Sequence, residues 1–439
     1  MIASTIGQEF LSQRNARTGE PRTPESYFQE VFVPLFFDHP NYFIPGGNSP
    51  LENPKFKKGT RPEAPERAER IAKFYKKILD DPAGSSPIGY PTTDPEKTTS
   101  GQVSNLNLQV TKEDVYFSWI GGGFGIGVGG GLQLLFVEAK ILLSLEEGWH
   151  HYRHFLNTTE GIAPNQVNAW NGQWLVHSLS EAYNPAQPLA GFGTETWLGN
   201  EGLTKGRVLS VPWNKLLFGL ARRFGQGSLM AYVYNIDKQN TTIGFVPLLL
   251  PDVRRILELY RTLFKDTEFF KVRSELEEIY GSAFGFRQVC QLGSIGFQAL
   301  EPKGLRGLMP YVGNGKEGKM PKLNKTDDIQ FISYHAYQTW LLAMLKNDDL
   351  WEESEKAAKL LLAYEAGAGK LRANRSSNVQ TVLKTFSRLK FQQAMEPVIA
   401  ESEPPADVIA LCHAVHLLPE DNFQYFLTLV RLRYAEFAR

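Results

Sequence analysis

The spacing of apolar residues divides the chain near residue 326. Beyond Thr326, apolar positions recur at three- and four-residue intervals, predicting five helices over 328–346, 349–366, 376–395, 406–418 and 420–438. The third carries Val379, Val382, Leu383, Phe386 and Leu389 on one stripe, with a capping-box pattern from Ser377 and Gln380 at its start. Asp327 or Asp328 offers a cap for the first. A helical bundle is expected here. Between 110 and 325 the pattern is mixed. Strand-like runs are "VYFSWI" (115–120), "RVLSVPW" (207–213), "LMAYVYNI" (229–236) and "IGFVPLLL" (243–250), with helices predicted over 251–264 and 268–280. The first 110 residues are rich in proline and polar turns. One basic amphipathic helix, 65–79, sets Ile71, Phe74, Tyr75 and Ile78 on one side. The expected class is α+β: a Pro-rich mixed segment (1–110), a central α+β domain (111–300), a basic Gly/Pro linker (301–325) and a C-terminal helical bundle (326–439).

One stretch breaks the pattern. Residues 115–137, "VYFSWIGGGFGIGVGGGLQLLFV", hold eight glycines and no charge. So many glycines weaken a membrane helix, and the flanks show no positive-inside bias. Gly125, Gly127 and Gly130 fit G-x-G-x-x-G, but any run this rich in glycine does so by chance, and the chain has neither H-R-D nor D-F-G. Glycine alternating with Phe124, Ile126 and Val128 predicts an extended segment that another backbone or a ligand approaches closely.

Composition narrows the classes. Apolar residues are 42%, charged residues 21%, and the formal net charge is zero, so only local patches can point to a partner. The opening residues lack an apolar core of signal-peptide length. With two cysteines, Cys290 and Cys412, read as free thiols, a cytoplasmic protein is expected, with no membrane partner. No cofactor, metal or catalytic residue is predicted. "GNGKEGKM" (313–320) fits G-x-x-x-x-G-K but puts Met320 where a magnesium-binding hydroxyl belongs, and "AGAGKL" (366–371) is poorer still. His150 and His154 are one turn apart without a third ligand and read as a polar face. His413 and His416, in an apolar helix, read as packing residues.

Charge is informative locally. Residues 55–77 hold nine basic and three acidic side chains, and 301–325 six against two. From 370 to 390 there are six basic residues and no acidic one: Lys370, Arg372, Arg375, Lys384, Arg388 and Lys390. Lys384 and Arg388 are one turn apart, opposite the apolar stripe, and are expected to form a positive face suited to a phosphate backbone.

This layout resembles the large subunit of type I, I-B-like, CRISPR interference complexes (Cascade). The likeness is carried by "TSGQVSNLNLQVTKEDVYFSWIGGGFGIGVGGG" followed by "SLEEGWHHYRHFLN", and by the basic linker and terminal bundle. It covers most of the chain in layout, and no family motif aligns residue by residue. It implies a non-catalytic subunit that recognises the protospacer-adjacent motif on duplex DNA while the guide RNA reads sequence. The implied partners are crRNA-bound backbone subunits, target double-stranded DNA, small-subunit copies and a helicase-nuclease recruited after R-loop formation. Gly121, Gly122, Gly123, Asn314, Lys316, Lys319 and Lys322 become expected nucleic-acid contacts, with the six basic residues of 370–390. The resemblance also raises an internal start at Met320 or Met309, giving the bundle as a separate small protein able to fold alone. An enzyme with an unrecognised site and a protein-interaction scaffold are the other classes open.

Overall fold

The computed structural model describes every residue except 57–59, 91–107, 130, 202–204, 236–240, 267–276, 283–285, 314–315, 325–326, 368–371, 403–405 and 439. The protein is α+β. It divides into two compact units: Met1–Leu250 with Phe284–Ile295, and Pro251–Ala283 with Gly296–Arg439. The first 110 residues are therefore no separate segment, because helix α1 (Ile2–Thr18) lies along the helix Lys112–Gly122.

That second helix overturns a sequence expectation. "VYFSWI" is helical, started by a capping box in which Thr111 accepts from the Asp114 amide. Helix α2 (Ala64–Asp80) precedes it, so it is α3. The pair packs through small residues. A Cβ on Gly7 would sit 2.1 Å from the Phe117 carbonyl oxygen, and one on Gly121 would sit 1.8 Å from that of Ala3. The close backbone approach expected of the glycine run is thus made by α1.

Only after the helix does the run become extended. Strands β1 (Ile126–Val128) and β2 (Leu132–Phe136) form a hairpin. A second hairpin, β3 (Leu198–Glu201) and β4 (Lys205–Val208), stands apart; β2 pairs with β5 (Leu229–Asn235), and β5 with β6 (Thr241–Leu248). The four-stranded sheet is antiparallel in the order β1-β2-β5-β6. Val128, Leu134 and Leu248 on one face pack against Trp213, Leu216, Leu217 and Leu220 of the helix Trp213–Phe224. Asn171, fully buried, holds the helix-to-strand corner. Its amide nitrogen donates to the carbonyls of Gly123 (2.8 Å) and Gly125 (2.9 Å), and its oxygen accepts from Trp149 Nε1. The carbonyls at the corner, which no strand or helix would satisfy, gain partners there.

Helix α2 buries Phe74 and Ile78 as its period predicts, but also Arg67 and Arg70. Arg70 lies over the Phe56 ring and donates to the carbonyls of Leu51 and Pro54; Arg67 donates to Pro62 O. Part of the basic run 55–77 is therefore internal structure.

In the second unit, β7 (Tyr280–Ser282) pairs with β8 (Leu300–Pro302) and the helices Leu250–Phe264, Asp328–Leu345, Leu350–Ala366, Arg372–Leu383, Arg388–Glu401, Ala406–Leu417 and Glu420–Phe437 follow the predicted periods with one exception. Asp327 caps the Asp328–Leu345 helix, accepting from the Gln330 amide at 3.1 Å. That helix is buried on several sides. Tyr280 donates to Ala336 O, Trp340 to Leu300 O, and His335 stacks on Phe264 with ring centroids 3.8 Å apart.

The exception is the expected helix 376–395. It is two helices broken at 384–387, and Ser377 lies inside the first of them, not at its start. Ser387 caps the second by accepting from the Lys390 amide, and the new helix buries Phe391, Met395 and Val398 in a different phase. Phe386 and Leu389 fall outside both apolar faces. The predicted helix 268–280 lies largely outside the described residues.

Candidate nucleic-acid interface

The break determines the geometry of the basic cluster. Lys384 stands in the turn between the two helices and is exposed. Arg388 opens the second helix, but its guanidinium is engaged: Nε meets Glu420 at 2.5 Å, and one terminal nitrogen donates to His416 O and Leu418 O. The expected single face of Lys384 and Arg388 therefore does not exist. Arg388 ties two helix ends together. Arg375 is likewise paired, with Glu401 at 3.1 Å, and lies over the Tyr364 ring. Arg372 belongs to the first helix by its backbone, and Lys370 lies outside the described residues.

Lys390 is exposed and sits over the Phe386 ring, 4.1 Å from its centroid. Phe386 is 45% exposed, Leu389 65% and Leu417 68%, so apolar surface adjoins the lysines. Facing Phe386 is Tyr311 from the linker, itself exposed, with ring centroids 6.1 Å apart and planes at 38°. The linker and the basic helix segment, separate in sequence, thus meet through two exposed rings.

The linker is held in a defined loop. Val312 N donates to Lys316 O, Lys316 N to Gly313 O, Gly318 N to Pro310 O and Lys319 N to Gly307 O. Gly313, at φ 93°, takes a conformation that only glycine adopts readily. A Cβ on Gly318 would lie 1.9 Å from Met309 O. Beneath the loop is Arg431, fully buried in the helix Glu420–Phe437. It donates to the carbonyls of Gly318 (3.3 Å) and Lys319 (2.9 Å), while Nε and the other terminal nitrogen have no protein partner. Burial pulls its pKa down to about 10, opposed by the nearby Glu317. The loop displays Lys316, Lys319 and Lys322, all exposed. Asn314 lies outside the described residues.

The glycines expected at a DNA groove are elsewhere. Gly121 and Gly123 are buried, the first against Ala3 and the second against Phe36 and Phe32, and Gly122 abuts Ile88. Helix packing, not groove contact, occupies them. His413 and His416, expected inside, are exposed. Among the described residues no group of three or more His, Cys, Asp and Glu is placed to hold a metal ion, and no helix is long and apolar enough to cross a membrane. Both cysteines are free; burial pushes the Cys290 thiol up to about 11.

Periodicity alone missed Tyr311, Phe386 and Arg431. A signal existed for Phe386: a Thr-Phe-Ser-Arg sequence offers a new cap at Ser387, which would have broken the long helix. Exposed aromatic rings interleaved with lysines can stack unpaired bases while the cations track phosphates. Among known proteins, no family model, no curated protein and no solved structure matches this chain.

Proposed function

We propose that this chain is a non-catalytic nucleic-acid-binding protein, and specifically the large subunit of an RNA-guided DNA surveillance complex of the Cascade kind. In that role it recognises a short motif on duplex DNA, stabilises the R-loop and helps recruit a helicase-nuclease. Its partners are crRNA-bound backbone subunits, small-subunit copies and target double-stranded DNA. The observation that carries the nucleic-acid part is the meeting of two exposed rings, Tyr311 and Phe386, with Lys390 over the second; Lys384 is two residues from Phe386, and Lys316 and Lys319 follow Tyr311 in the same exposed loop. The finer assignment is supported by the layout of the chain: glycine-rich central stretch, basic linker and terminal bundle.

The test has two parts. Affinity purification from the native cell should bring down a small RNA of uniform length with partner proteins. In that complex, changing Lys384 and Lys390 together to Glu should weaken DNA binding and lower the slope of log affinity against log salt by about 2, one contact per lysine. Arg388 is left intact, because its loss would undo helix packing. Purification without RNA assigns the chain to another class of assembly. An unchanged salt slope removes the interface.

A further inference from the structure

A cavity of about 260 Å3 lies between the turn at Gly304, the loop at Lys322 and the start of the Asp328–Leu345 helix. Its volume falls just under the range of pockets for drug-sized molecules, about 300–1,000 Å3, which suits a single base. Its polar groups are asymmetric. Gln330 lines the cavity and its Oε1 accepts from the Asn324 amide, which leaves its amide nitrogen as a donor. Lys322 brings a cation. Tyr334 is 4% exposed; the Lys322 amide approaches its hydroxyl oxygen, and its proton is donated to no protein group. Ser333 and Tyr337 spend their protons on Ile329 O and Lys303 O. The proton of the Tyr334 hydroxyl is left for a ligand oxygen to accept.

The lining is rich in donors, and two tyrosine rings form part of its wall. Leu308 also lines the cavity and stands three residues before Tyr311. At about 3.8 Å per residue, cavity and aromatic pair are within about 11 Å along the backbone. We propose that this cavity takes one unstacked keto base, thymine, uracil or guanine, from a single strand whose neighbouring bases stack on Tyr311 and Phe386. The carbonyl oxygens accept from Gln330, Tyr334 and Lys322, and the amino bases adenine and cytosine present a donor where an acceptor is wanted. The proposal rests on the nucleic-acid reading above and goes further, by giving the protein a base preference.

Binding of oligothymidylate and oligoadenylate of equal length to the full chain separates the two. Wild type should prefer oligothymidylate by about tenfold, the scale of one well-made base contact. Ser333→Leu, which fills the cavity, should abolish the preference; Gln330→Leu does the same without adding bulk and serves if the first variant folds poorly. Phe386→Ala should weaken both oligomers about equally and keep the preference. Equal binding of both oligomers by wild type, or a preference that survives both cavity variants, overturns the base pocket while leaving the aromatic platform standing. Competition by inorganic phosphate that removes the preference shows Lys322 to be a phosphate site only, and also overturns it. Failure of wild type to bind either oligomer removes the platform itself.

Discussion

His335 is 5% exposed and stacked on Phe264, with the rings of Tyr260 and Phe331 and the Arg433 guanidinium around it. Burial, then Arg433, lowers its pKa to about 4. The unfolded chain protonates this ring near pH 6.5 while the folded chain does not, so stability falls as pH drops from about 6.5 towards 4. At pH 4.5 the loss from this one residue should be on the order of 2 kcal/mol relative to neutral pH. His335→Phe keeps the stack and removes the titration. Urea midpoints at pH 7 and 4.5 should show the variant losing less than wild type by that amount; parallel losses would falsify the assignment. Such residues were hard to read from sequence. An arginine inside an apolar helix looks like a solvated interruption, and histidines read as packing residues can prove exposed, as His413 and His416 do. Arg431 and Arg433 are both buried, Arg433 between Glu355, Glu436 and the rings of Trp351 and Phe437. Nothing in a 3.6-residue period announces carbonyls or carboxylates contributed from elsewhere in the chain.

At the scale of elements, type was read better than continuity. The helices 328–345, 350–366, 406–417 and 420–437 and the strands 229–235 and 241–248 stand close to their predicted places because each has a full apolar face to bury. "VYFSWI" misled because a β-branched and aromatic run of six carries no period of its own, and the capping box before it decided for helix. The helix 376–395 misled because Phe386 and Leu389 happened to continue the stripe, though neither is used in the core. The glycine run was legible as a place of close approach but not as to what approaches. Its role in α1–α3 packing is open to test. Gly121→Ala must drive a Cβ into Ala3 O and force the helices apart, at a cost of about 2 kcal/mol. Tm should fall by about 5 °C in a unit of this size. Gly129→Ala, with nothing within 4 Å of the new Cβ, should leave Tm unchanged. Nucleic-acid affinity measured well below Tm should not move in either variant; a specific loss in Gly121→Ala would return the glycines to the interface.

For the whole molecule, the division at Leu250 alters what a separate C-terminal product would be. A chain starting at Met320 would lack Leu300, which accepts from Trp340, Tyr280, which donates to Ala336, Phe264, which stacks on His335, and the carbonyls held by Arg431. The sequence suggested that this piece could fold alone; the structure removes much of the cover from its first helix. A fragment of residues 320–439 should bind ANS and melt broadly, as loosely packed states do, while 251–439 should unfold in one sharp transition. A sharp transition for 320–439 at the same temperature would show the missing segments to be dispensable. Mass spectrometry of the protein purified from its native cell gives the other half: no small protein beginning at Met320 is expected unless a neighbouring chain replaces those contacts. The unit boundary was illegible in sequence because composition shifts at 301–325, where the chain is Gly/Pro-rich, while the packing boundary follows which helix covers which.

Arg431 hydrogen-bonds the linker loop through the main-chain oxygens of Gly318 and Lys319, with Glu317 close by. Those oxygens are the same whatever side chains the loop carries, provided the glycines at 313 and 318 remain. The loop is therefore an interchangeable cassette on a fixed mount: its lysines can be traded, moved or reversed in sign by mutation without loosening the clamp.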